Sequence, residues 1–393
     1  MTSHLSRRRF LAAMGAALPA ITLPGFMTAA GYATRAAPRT GNTLILIELS
    51  GGNDGLNTVI PVTDPAYRGL RPTLGITNGP TLDDDTILHP AMRDMAEIWD
   101  EGALRIVEGV GYPNPNRSHF RSIEIWNAGQ GARARSVDGW ISTAFTGEAP
   151  AGTDADGLVL GGSVGPLRGP GRFSVIEDEE VFLETLHALE QAPHAVRPAQ
   201  RTALDHVLDA YEQAELTGSA IARRLERGAM RRFQFPETAL AEQLHAAARL
   251  LDAGAEVPVF KVMQEGYDTH DNQPDAHAGL LHDLSEAIAA FSQAAKAMGR
   301  WEDVAIVTYS EFGRTARENG SAGTDHGTAA PVFVAGGAVR GGFGGVRVDL
   351  TQLSNDDLVY TTDYRALYDG LLRGLWALEA PVFAGHGRLQ LFN

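Results

Sequence analysis

Five short apolar runs, most of them opening into a polar or glycine-rich loop, set the pattern of the chain. Leu44–Leu49 is broken only by Glu48, and residues 104–111, 257–264, 304–309 and 331–335 are similarly apolar. Runs of this length without strict alternation predict strands buried on both faces, as in a parallel sheet. Between the third and fourth runs, "AGLLHDLSEAIAAFSQAAKAMG" carries apolar residues at helical spacing. Strand, loop, helix and strand in that order predict a right-handed βαβ unit. Residues 178–252 are rich in Ala, Leu, Glu and Arg at helical spacing, and "TDYRALYDGLLRGLWAL" predicts an amphipathic C-terminal helix. After Pro113 and Pro115, Ser118 is placed to cap a further helix. The glycines of "GGFGG", residues 341–345, predict a flexible turn. The expected architecture is α/β: a three-layer sandwich with a largely parallel central sheet and a helical insertion at about 178–252.

The ends of the strands carry the chemistry. In parallel sheets, ligands bind beyond the carboxyl ends of the strands. Here those exits hold "SGGNDG", "EGYDTHDN" and "SEFGRT", while "TDHG" precedes the last strand. Together they offer Asn53, Asp54, Asp268, His270, Asp271, Glu311 and His326. Any one of these residues alone is a turn or cap residue; their coincidence at several exits predicts a centre for one or two divalent ions. The chain contains no cysteine, so thiolate sites and disulfides are excluded. The remaining ligand types suit Zn, Mn, Mg or Ca. Ser118 at a helix N-terminus is a candidate nucleophile, with Arg117 and Arg121 placed to hold the oxygens of an oxyanion.

Charge and the N-terminus narrow the setting. The net charge of −15 argues against nucleic-acid binding. Arg7, Arg8 and Arg9 precede a short apolar run containing Pro19 and Pro24. This predicts a twin-arginine export signal over residues 1–35, recognised by the corresponding export machinery, with no stable membrane span. The remainder, 36–393, is expected to fold as one domain.

The motifs "LSGGNDGLNTVIPV", "NPNRSHFRS", "GYDTHDNQ" and "EFGRTARENGSAGTDHG", with the paired arginines, resemble the exported bacterial family catalogued as domain of unknown function 1501. That family is similar to the alkaline phosphatase and sulfatase superfamily. The resemblance implies metal ligands at Asp54, Asp268, His270, Glu311 and His326, and a nucleophile at Ser118. It also implies an exported hydrolase of phosphate or sulfate esters in small molecules or polymers. The superfamily has an Asp-His pair where this chain has Glu311 and Phe312, and Phe312 cannot bind a metal. Asp325 is placed to compensate or to orient His326. The altered pair keeps open a noncatalytic exported binding protein that retains the fold.

Overall fold

In the computed structural model, which describes residues 41–146, 149–176, 218–225 and 231–393, the apolar runs assemble into one nine-stranded sheet. Its strands are β1 (Thr43–Ser50), β2 (Leu104–Gly111), β3 (Gly157–Val159), β4 (Phe173–Val175), β5 (Val259–Glu265), β6 (Val304–Tyr309), β7 (Ala330–Ala335), β8 (Gly342–Gly345) and β9 (Thr362–Asp363). The spatial order is β8-β2-β7-β6-β1-β5-β3-β4, with β9 also on β2. Every pairing is parallel except those of β7, which runs against both β2 and β6. The run expected to be a turn at 341–345 is instead the edge strand β8. An edge position beside β2 tolerates its glycines because only one flank needs ladder hydrogen bonds.

The seven helices used below are α1 (Pro65–Leu70), α2 (Arg93–Asp100), α3 (His119–Ala128), α4 (Trp140–Phe145), α5 (Ala239–Asp252), α6 (Gln273–Met298) and α7 (Tyr364–Trp376). The period-two geometry of β1 divides the core. Ile45, Ile47 and Leu49 join the cluster that includes Met95, Leu244, Leu284 and Phe291 from α2, α5 and α6. Leu44 and Leu46 join Trp126, Trp140, Leu371 and Trp376 from α3, α4 and α7. Both faces of the sheet are therefore covered, giving the expected three-layer α/β sandwich.

The described residues fall within one compact unit, Ala37–Asn393. The expected export signal lies outside the described residues. So does most of the expected helical insertion, of which 218–225 and α5 are described and helical. Among the described residues, no helix is long and apolar enough to cross a membrane.

The topology gathers the polar loops. β1, β5 and β6 are parallel neighbours, so their exits share one edge. Because β7 is antiparallel to β6, the segment leading into β7 starts from that same edge. An isolated bridge between Arg314 and His326 closes the loop between them.

Candidate metal centre

Gly51 and Gly52 let the exit of β1 pack tightly beneath the other loops. Both have positive φ, at 120° and 88°. A Cβ on Gly51 would stand 2.3 Å from the Asp268 backbone nitrogen, and one on Gly52 would stand 2.6 Å from the Phe312 ring. The approach is possible only without side chains. Arg314, fully buried, locks the arrangement: it donates to the carbonyls of Gly51, Gly52, Tyr267 and Thr324 and to Asp268 Oδ1 at 2.7 Å.

Three imidazoles surround Asp268. His119 Nε2 lies 3.5 Å from Asp268 Oδ2; His326 Nε2 and His270 Nε2 each lie 3.1 Å from Oδ1. The two latter nitrogens are 2.9 Å apart. Ligand atoms of His119, Asp268 and His326 all fall within 4.8 Å of one another. Each ring is tied at its other nitrogen. His119 Nδ1 meets Glu311 Oε1 at 2.7 Å, His270 Nδ1 meets Asp325 Oδ1 at 3.1 Å, and His326 Nδ1 meets the Arg117 carbonyl at 2.9 Å.

A carbonyl or carboxylate oxygen accepts, so a proton on each Nδ1 satisfies that partner and leaves each Nε2 lone pair to offer to an ion at Asp268. Among the described residues, Arg314 is the permanent cation in contact with Asp268. Partial burial pushes the Asp268 carboxyl up, but the hydrogen bond and charge of Arg314 outweigh it and hold the group below its usual range. Such a centre is short of positive charge. The ligand atoms of His119, Asp268 and His326 lie close enough together to share one ion, and His270 Nε2 stands beside them, 2.9 Å from His326 Nε2. The donor set fits a divalent ion, with the Nδ1 partners fixing ring orientation and ligand basicity.

Of the expected ligands, Asp268, His270 and His326 are brought together. Glu311 reaches the centre only through His119. It is buried, and its Oε1 also accepts from Gly51 N at 3.0 Å while Oε2 lies 3.2 Å from Ser310 Oγ, so most of its acceptor sites are turned to these partners. Asp54 is also turned to other partners. Both its oxygens lie in the fork of Arg71, at 2.6 and 2.9 Å, and Gln273 Nε2 donates to one at 2.5 Å. Arg71 follows α1 and is anchored on the carbonyls of Thr315 and Ala316. A guanidinium thus occupies the place that Asp54 would offer an ion.

The expected catalytic residues are split. Ser118 caps α3, is exposed, and makes no side-chain capping bond. It sits between Arg117, whose carbonyl meets His326, and His119 of the centre. The Arg117 guanidinium turns away to pair with Asp357. Arg121 is spent on Glu124 and on the carbonyls of Ala132 and Ala134. Neither guanidinium is free to hold an oxyanion beside Ser118.

His119 is the candidate ligand that sequence reasoning missed. Its ring packs against Phe312, with centroids 4.9 Å apart, and against His326 at 4.3 Å. The position that lacks a histidine in the loop after β6 therefore has an imidazole beside it, delivered by α3. Its signal was a histidine in the first turn of a helix that follows the exit of β2.

Fold and site together define an α/β protein with a histidine–aspartate centre at a strand-exit edge. The sequence matches the family model described as "Protein of unknown function (DUF1501)" over residues 172–369, about half the chain, and the protein belongs to that family. A search of curated proteins found no match. Among solved structures, the chain is similar to a protein of the alkaline phosphatase superfamily from Vibrio parahaemolyticus, with 12% identity and a TM-score of 0.44, covering 89% of this chain and 69% of that one. It is also similar to the C-terminal periplasmic domain of EcEptC from Escherichia coli in complex with Zn: 9% identity, TM-score 0.37, covering 76% and 73%. For the PsFucS1 sulfatase from Pseudoalteromonas sp., the values are 11%, 0.36, 85% and 67%.

Proposed function

We propose that this protein is a metal-dependent hydrolase of phosphate or sulfate esters that acts outside the cytoplasm. The observation that carries the reading is the convergence of three Nδ1-tethered imidazoles on Asp268. The nitrogen-rich set favours zinc over magnesium or calcium, which prefer oxygen cages. When bound, the ion would supply Lewis-acid polarisation of the ester. The chain's own residues do the rest. Glu311, Asp325 and the Arg117 carbonyl hold the three rings, and Arg314 keeps Asp268 ionised. Ser118, exposed next to His119, would bond through its oxygen to the phosphorus or sulfur atom as the ester oxygen leaves with the serine proton, and water would then release the transferred group. The ester class follows from the motifs' resemblance to the phosphatase and sulfatase superfamily, and export from the paired arginines at Arg7–Arg9.

The occupation of Asp54 by Arg71 favours a second reading: an exported protein with a single ion that binds an anionic ligand without turning it over. One experiment separates the two. Purified protein is analysed for metal and assayed with p-nitrophenyl phosphate and p-nitrophenyl sulfate. The hydrolase reading expects about one zinc-class ion per chain and turnover that falls at least about 100-fold in Asp268→Ala and His326→Ala. Metal without turnover of either ester class supports the binding protein. Turnover that both variants retain removes the centre from the chemistry altogether.

A further inference from the structure

The helix that delivers His119 presents a second polar face. Arg121, Glu124 and Asn127 follow one another at intervals of three along α3. With the loop at 135–139 and the turn ending at Arg168, they enclose an open cleft of about 200 Å³. Its walls are fixed. Gly139 N donates to the Arg168 carbonyl at 2.6 Å, and Arg121 donates to the carbonyls of Ala132 and Ala134 at 2.9 and 2.6 Å. Arg121 thus positions the loop that carries Arg135.

The cleft has unmet needs. Arg135 and Arg168 are exposed and form no ion pair among the described residues. Asn127 Oδ1 is buried and has no hydrogen-bond partner among the described residues. Val137, in the cleft wall, is 72% exposed; Phe120, one helical turn before Glu124, is 85% exposed. Two available guanidiniums stand out on a chain whose net charge is −15. Guanidiniums call for a sulfate or phosphate, the Asn127 amide in the wall suits a hydroxyl, and exposed apolar side chains call for the face of a ring. Asp138, also in the wall, accepts hydroxyls and disfavours a bare polyanion. A sulfated or phosphorylated sugar meets all of these. At a rise of 1.5 Å and about 100° of turn per residue, Asn127 lies about 12 Å along the helix from His119 and the cleft faces a different side, so a ligand touching both must run around the helix as well as along it. An oligosaccharide spans that distance, whereas a simple monoester does not.

We propose that this cleft binds a sulfated or phosphorylated sugar unit of an extended substrate whose reacting ester lies at the histidine centre. The placement of the reacting ester rests on the hydrolase reading; the cleft is tested without turnover. Binding of a fluorescent dextran sulfate oligomer is compared with that of neutral dextran of equal length and polyglutamate of equal charge. Wild-type protein is expected to prefer dextran sulfate to both. Arg135→Ala/Arg168→Ala should weaken that binding about tenfold or more, with melting temperature and zinc content unchanged, and Asn127→Leu should weaken it by a smaller factor. No binding by the wild type, equal binding by the double variant, or equally tight polyglutamate would each overturn the assignment. Binding lost in the variants without ester turnover in any form would keep the cleft and remove the hydrolase.

Discussion

Asp54 and Asp268 stand at the exits of neighbouring parallel strands, yet one is dry and the other wet. Asp54 is fully buried and has its cation built into the chain, in Arg71. Asp268 is half exposed and shares its oxygens with Arg314 and three imidazoles. Gln273 lies between the two regions. It donates to Asp54 and accepts from Thr324, whose carbonyl in turn accepts from Arg314. The contrast separates what a carboxylate at a strand end can do. Where a guanidinium satisfies it, it holds the fold together; where its partners leave lone pairs facing solvent, it is ready for an ion.

The sharpest way to break this comparison is to remove the internal cation. Arg71→Met would leave Asp54 buried and unpaired, which costs about 3–5 kcal/mol. Asp268→Asn leaves the buried Arg314 its backbone carbonyls and an amide oxygen as acceptors, so it should cost less, about 1–2 kcal/mol, while abolishing metal binding. Urea unfolding of both variants measures the difference; equal losses would mean the two aspartates play the same structural part.

Acid should find the dry region in two steps. Burial holds His277 neutral, down at about 4 from 6.5, against the opposing pull of Asp54. The unfolded chain takes up that proton first, so this contribution is complete above about pH 6.5 and declines toward pH 4. The difference corresponds to roughly 3 kcal/mol. Burial alone would raise the Asp54 carboxyl, but the Arg71 charge and hydrogen bonds override it and hold the group at about 2, below the ordinary 3.8. Its contribution is complete above about pH 4 and is lost as pH falls through 2, roughly 2 kcal/mol more. Unfolding free energies across this range should show both windows, and His277→Gln should erase the upper one.

The sheet was legible in the sequence because buried parallel strands read as continuous apolar runs. Asp268, His270 and His326 were legible because they sit at or fold back to strand ends. The pairing of Asp54 with Arg71 was not. Arg71 is held by backbone carbonyls at 315 and 316, contacts that no local pattern encodes. His119 escaped for a different reason. It follows Ser118 directly, and a serine at a helix start draws the eye to capping and nucleophilic roles. Phe312 stands where the resemblance leads one to expect a histidine, and the packing of α3 against it brings the His119 imidazole to that place. The edge strand β8 was hidden by its own glycines, which read as a turn.

The smallest expected effect tests the wet region most finely. Glu311 touches the centre only through His119 Nδ1. Glu311→Gln keeps the shape: the amide oxygen can still accept from His119 and Gly51, and the amide nitrogen can donate to Ser310 Oγ, which lies 3.2 Å from the carboxylate oxygen it replaces. Only the negative charge behind the imidazole is lost. That charge makes His119 Nε2 a stronger donor to an ion, and its removal should weaken zinc affinity about 10- to 100-fold with the melting temperature of the metal-free protein nearly unchanged. Competition with a chromophoric chelator measures the affinity directly. An unchanged affinity would show that His119 stands beside the ion and not on it, leaving His270, His326 and Asp268 to hold it.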